Sequence, residues 1–78
     1  MDVNTKVKEI IKNMCGKETI LLTYDLQLDL AFDSLMMVML LLQIEDEFGI
    51  ELEQKDMNPL NLTTVQDVVE LVERYEVK

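Results

Sequence analysis

Residues 35 to 42, LMMVMLLL, are an unbroken run of eight apolar side chains directly behind an Asp-Ser pair. The run is far short of the ~20 residues that cross a bilayer. With QIEDEF behind it, it predicts a helix from about Ser34 to Phe48, stopped by Gly49 as a C-terminal cap. A surface helix ordinarily carries one apolar stripe, but this one carries two. At roughly 100° per residue, Met37, Leu40, Leu41, Ile44 and Phe48 gather on one side and form the core face. Leu35, Val38, Met39 and Leu42 gather directly opposite, joined by Asp46 and flanked by Glu45.

A chain of 78 residues builds one small core. It lacks the material to cover both faces of that helix, so the second stripe is expected to be an exposed docking surface. Met36 and Met39 suit such a surface, because methionine repacks readily against different partners. The composition is 49% apolar, with no Trp and only two Phe and two Tyr. The core is therefore expected to be aliphatic and deformable, with Ile10, Ile11, Leu40, Leu41, Ile44, Val68 and Val72 at its centre, and a large enclosed active site is not expected.

Elsewhere, Val3, Val7, Ile10, Ile11 and Met14 repeat with helical spacing and predict a first helix ending near Gly16. Cys15 to Phe32 shows no helical period. Leu26, Leu28, Leu30 and Phe32 alternate as in a strand, but the only other short candidate strand is Ile50 to Leu52. An ordered loop with its leucines turned inward is the better expectation, despite a length uncommon in compact domains. Pro59, in KDMNPLNL, breaks the chain and leaves room before it for one irregular helical turn at most. Thr63 to Gln66 has capping-box spacing, Thr64 is an equally good cap, and Val65, Val68, Val69, Val72 and Tyr75 mark a last helix. The expected architecture is a single all-α domain over 1–78: three main helices, a short irregular fourth, and a long first loop.

The formal net charge is −9, and between Glu18 and Glu73 there are thirteen acids against one base, Lys55. Nucleic acids and anionic membrane surfaces would repel such a chain. A protein partner with a basic patch complements it. Cys15 is the one cysteine and there is no histidine. An internal disulfide, the common zinc sites and Ser-His or Cys-His nucleophile pairs are therefore excluded, and neither a catalytic residue nor a metal site is expected. A calcium loop centred on Gly49 fails too, since Ile44, Phe48 and Lys55 would fall on ligand positions. The start MDVNTKVKEI lacks the apolar stretch of a signal peptide, which points to the cytoplasm.

The Asp-Ser pair remains. Asp33 is a good N-cap, which makes Ser34 the first helical residue. Free N–H groups and the helix dipole favour a phosphoryl group on Ser34, although the Asp33 charge opposes it in part. No base accompanies the hydroxyl, so another enzyme has to activate it. Ser34 is thus expected to be an attachment point rather than a nucleophile acting on its own.

Here the chain resembles the acyl carrier proteins. That family has a D-S-L motif after a leucine-rich loop, as in LDLAFDSL, residues 28–35. An acidic turn with a short alternating segment follows, as in IEDEFGIEL, residues 44–52, and a Thr-Thr-Val start to the last helix, as in LTTVQDVVELV, residues 62–72. The resemblance implies a small four-helix bundle, monomeric, whose Ser34 carries 4′-phosphopantetheine transferred from coenzyme A by a separate phosphopantetheinyl transferase. The thiol of that arm would hold acyl intermediates as thioesters for fatty acid or polyketide synthesis. It also implies that acyl-transfer and synthase enzymes with basic docking surfaces read Leu35, Val38, Met39 and Leu42 together with Glu45, Asp46 and Glu47. Fatty-acid carriers commonly have glycine at the place of Ala31 and acids at those of Met36 and Met39, and a shorter stretch in place of EQKDMNPLN. Two alternatives stay open at this point: an aminoacyl carrier served by an adenylating ligase, and an acidic adapter domain with no prosthetic group.

Overall fold

A computed structural model of the chain describes residues 2–58 and 61–76. Helix α1 spans Val3–Cys15, α2 spans Ser34–Phe48 and α3 spans Val65–Glu76. A 3-10 turn, Gln54–Met57, precedes α3. The all-α architecture expected from the periodicities, three main helices with one short irregular turn, is what forms; among the described residues there are three α-helices, not the four-helix bundle that the resemblance implies. The 3-10 turn has no fully buried side chain, and of its four residues Met57 alone packs, half-buried, against the core. Pro59, the expected breaker, lies outside the described residues.

Each helix begins and ends where its local chemistry dictates. The Asp2 carboxylate accepts the Thr5 N–H at 2.8 Å and starts α1; this bond holds its pKa below the ordinary aspartate value. Gly16 and Gly49 close α1 and α2 in the left-handed conformation, with φ of 76° and 65°, a region glycine enters without steric cost. Of the two candidate caps on α3, Thr64 is the one in use. Its Oγ1 accepts the Asp67 N–H at 3.3 Å, while Asp67 Oδ2 accepts the Thr63 and Thr64 N–H groups at 2.9 and 3.1 Å. Asp67 thus takes the reciprocal place in the capping box.

The long loop contains no strand among the described residues. Its order comes from a helix-like turn, in which Asp25 Oδ1 accepts from Gln27 and Leu28 N–H, Asp29 Oδ2 accepts from Asp25 N–H, and Asp29 N–H returns to the Asp25 carbonyl. Backbone bonds from Leu26 to Thr63, from Val65 to Tyr24 and from Gln66 to Leu22 then fasten the loop to the start of α3. Leu26 and Leu30 enter the core as expected, together with Ile20 and Phe32. Leu28 does not: it is 85% exposed. The turn places residues four apart, 26 and 30, on its inner side, so the two-residue alternation sends Leu28 outward.

The core is aliphatic and contains all seven residues expected at its centre. α1 packs against both α2 and α3. Lys6 on α1 further meets α2, its ammonium lying 3.7 Å from Glu47 and over the Phe48 ring.

Candidate functional site

Ser34 opens α2 and is exposed. Asp33 sits outside the helix with an extended backbone, its Oδ1 accepting the Met36 N–H at 2.9 Å and its carbonyl accepting from Met37. The cap is therefore complete without the serine, whose side chain makes no hydrogen bond among the described residues. A hydroxyl left uncommitted at a helix N-terminus, beside amide groups with no helical acceptor, is open to esterification, and the dipole stabilises a phosphate placed there.

The loop before it presents Asp33 through an unusual backbone. Ala31 has φ 59°, in the left-handed region, where a Cβ is crowded by the following carbonyl. Glycine at this place would enter the same region without that steric cost.

Behind Ser34 the second stripe of α2 is exposed: Leu35, Val38, Met39 and Leu42 lie between 36% and 68% accessible. The opposite stripe, Met37, Leu40, Leu41 and Ile44, is buried, with Phe48 partly so. Met36, expected on the outer surface with Met39, is half-buried and packs against the core from the side. The outer face carries no acid in its first turn.

The three acids at the far end of α2 differ from one another. Glu45 is half-buried and its Oε2 accepts the Leu52 N–H at 2.8 Å. Glu47 is exposed and shares Lys6, whereas Asp46 is exposed on the side of the stripe.

Sequence reasoning did not find a further cluster, at the end of α3. The Tyr75 hydroxyl accepts the Glu53 N–H at 2.9 Å and donates to Asp56 Oδ2, and the Arg74 guanidinium lies 3.7 Å from Asp56 Oδ1. Hydrogen bonding to the Asp56 carboxylate holds Tyr75 protonated above the ordinary tyrosine range. These partners are 19 and 22 residues apart, and no local periodicity signals them.

The family model for the phosphopantetheine attachment site matches residues 5–72. Among solved structures, a candidate acyl carrier protein of Mycobacterium tuberculosis superposes with a TM-score of 0.82 at 30% identity, covering 92% of this chain and 96% of its own. An acyl carrier protein of Thermotoga maritima superposes with a TM-score of 0.75 at 27% identity, covering 95% of this chain and 88% of its own.

Proposed function

The chain belongs to the phosphopantetheine attachment-site family and is a carrier protein of the acyl carrier type, and from that premise we propose that Ser34 bears the 4′-phosphopantetheine arm. The observation that carries this reading is the division of labour between two adjacent residues. Asp33 caps α2 while the Ser34 hydroxyl stays exposed and unbonded. An adapter domain without a prosthetic group would need only the cap.

The residues present fit the group. The phosphate ester would sit at the start of α2, within reach of free amide dipoles, and the arm would extend into solvent with no side chain to displace. When bound, the arm supplies a thiol that holds cargo as a thioester. The chain's own part is to present the hydroxyl. With no histidine in the chain, the base that takes the Ser34 proton comes from a phosphopantetheinyl transferase.

We further propose that the whole chain acts as one monomeric carrier domain in the cytoplasm and hands acyl intermediates to enzymes of fatty acid or polyketide synthesis. Among the described residues no helix is long and apolar enough to cross a membrane. The aliphatic core supports acyl over aminoacyl cargo, since an apolar chain gains from burial there and a short polar one does not. Partner enzymes would meet Leu35, Val38, Met39 and Leu42 with an apolar groove and Asp46 with a basic residue.

Incubation with coenzyme A and a broad-specificity phosphopantetheinyl transferase should add one phosphopantetheinyl mass to the protein, and none to Ser34→Ala. Modification of Ser34→Ala, or failure of the unaltered chain to gain mass, overturns the assignment.

A further inference from the structure

Six large apolar side chains stand exposed among the described residues: Leu21, Leu28, Leu35, Val38, Met39 and Leu42. Five of the six lie between residues 28 and 42, with Ser34 inside the run. Four of those five belong to α2. The fifth, Leu28, comes from the first loop, six residues before the serine, and is the most exposed of all at 85%.

A lone surface leucine is ordinary, but Leu28 sits on a fixed backbone. The buried Leu26 and Leu30 root its turn in the core from either side. Asp25 Oδ1 accepts the Leu28 N–H at 2.8 Å and the Gln27 N–H at 2.9 Å, and Asp29 Oδ2 accepts the Asp25 N–H at 2.7 Å. The Leu26 N–H donates to the Thr63 carbonyl and ties the turn to the start of α3. Docking Leu28 therefore orders little more than one side chain. The same two carboxylates put negative charge beside it. An apolar knob flanked by acids fits a protein pocket with an apolar floor and a basic rim, whereas an anionic membrane surface is repelled by that charge.

What covers the knob follows from where it lies. An enzyme that works on the thiol reaches its target through the extended arm and can stand off from the loop. The transferase has to bring its own active site to the Ser34 hydroxyl, so its surface comes down on the residues on either side of that serine, loop and helix alike. Resting on the reading of Ser34 as the attachment point, we infer that Leu28 is a second anchor for the phosphopantetheinyl transferase, seated in an apolar, basic-rimmed pocket of that enzyme. The α2 stripe holds the enzyme on one side of Ser34 and Leu28 on the other, which fixes its approach to the hydroxyl.

The test uses the full chain and the phosphopantetheinyl transferase of the same organism. Leu28→Gln should raise the KM for the carrier about tenfold, the loss of a buried leucine contact, with kcat little changed. Leu28→Met, which keeps an apolar side chain of similar volume, should restore the parent value. Leu21→Gln, the like change at the exposed leucine outside the run, should load as the parent does. All three should melt with the parent, since both leucines already meet water. In the Ser34→Ala background, where no arm can be added, Leu28→Gln should weaken transferase binding by a similar factor, so the anchor is read apart from the modification. Loading of Leu28→Gln at the parent KM, a loss that Leu28→Met does not restore, an equal loss in Leu21→Gln, or a raised KM matched by a lower melting temperature would each overturn the anchor. A mass gain by Ser34→Ala would overturn the attachment site instead.

Discussion

Glu45 and Leu52 are joined by a 2.8 Å hydrogen bond from the Leu52 N–H to Glu45 Oε2, so the first acid of the Glu45-Asp46-Glu47 cluster is engaged inside its own chain. Glu47 is shared with Lys6, which leaves Asp46 the most available of the three for a partner. Glu45→Ala should lower stability in urea unfolding by about 1.5–3 kcal/mol, the range of a hydrogen bond to a charged group. Asp46→Ala should leave stability within ~0.5 kcal/mol and slow association with a basic partner enzyme, measured by stopped-flow mixing at low salt. The reverse pattern would remove Asp46 from the interface.

Met39 tests the apolar half of the same face. It is exposed at the middle of the stripe, where fatty-acid carriers commonly have an acid. Met39→Glu should fold normally, because the side chain already meets water, and should weaken binding to the chain's own partner mainly through faster dissociation. Unchanged kinetics would mean that the stripe is not part of the contact.

Ala31 offers a test of backbone strain. Its φ of 59° carries a steric penalty of about 1–2 kcal/mol for an L-residue, against roughly 0.5–1 kcal/mol of extra chain entropy lost by glycine on folding. Ala31→Gly should therefore be neutral to stabilising, by up to about 1 kcal/mol on these figures. A valine there, branched at Cβ, should be clearly destabilising. Thermal unfolding of the three proteins at one salt concentration ranks them directly.

Cargo should register in stability. Burial of apolar chain is worth about 0.8 kcal/mol per CH₂, so an octanoyl group on the arm should raise the melting temperature over the free-thiol form even after the core has parted to admit it. A short polar aminoacyl group should not. Identical melting of the free-thiol, octanoyl and aminoacyl forms would show that this core does not shelter acyl chains.

Much of the molecule was legible residue by residue. The spacing of Val7, Ile10 and Ile11, the two stripes of α2 and the valines of α3 are repeats within a few residues, and caps such as Asp33, Gly16 and Gly49 act on the turn beside them. The loop was harder. Its alternation of leucines suited an inward-facing segment equally well with period two or period four, and only the Asp25–Asp29 turn selects four, which turns Leu28 to solvent. The Thr63 and Thr64 caps were equivalent until the Asp67 side chain was seen to reach back to both amides.

The sequence by itself determined the three helices, the ends of α2 and the close of α1, the serine behind a capping aspartate, and a second apolar face too large for 78 residues to cover. These follow from hydrophobic period and from capping chemistry, which are local. The tertiary structure decided which acids remain available and which groups meet the end of α3. Glu45 meets Leu52 across seven residues, and Tyr75 meets Glu53 across 22. Such pairings depend on where the packed core brings separate elements together, and a side chain's charge or polarity is the same whether it faces solvent or a neighbouring amide.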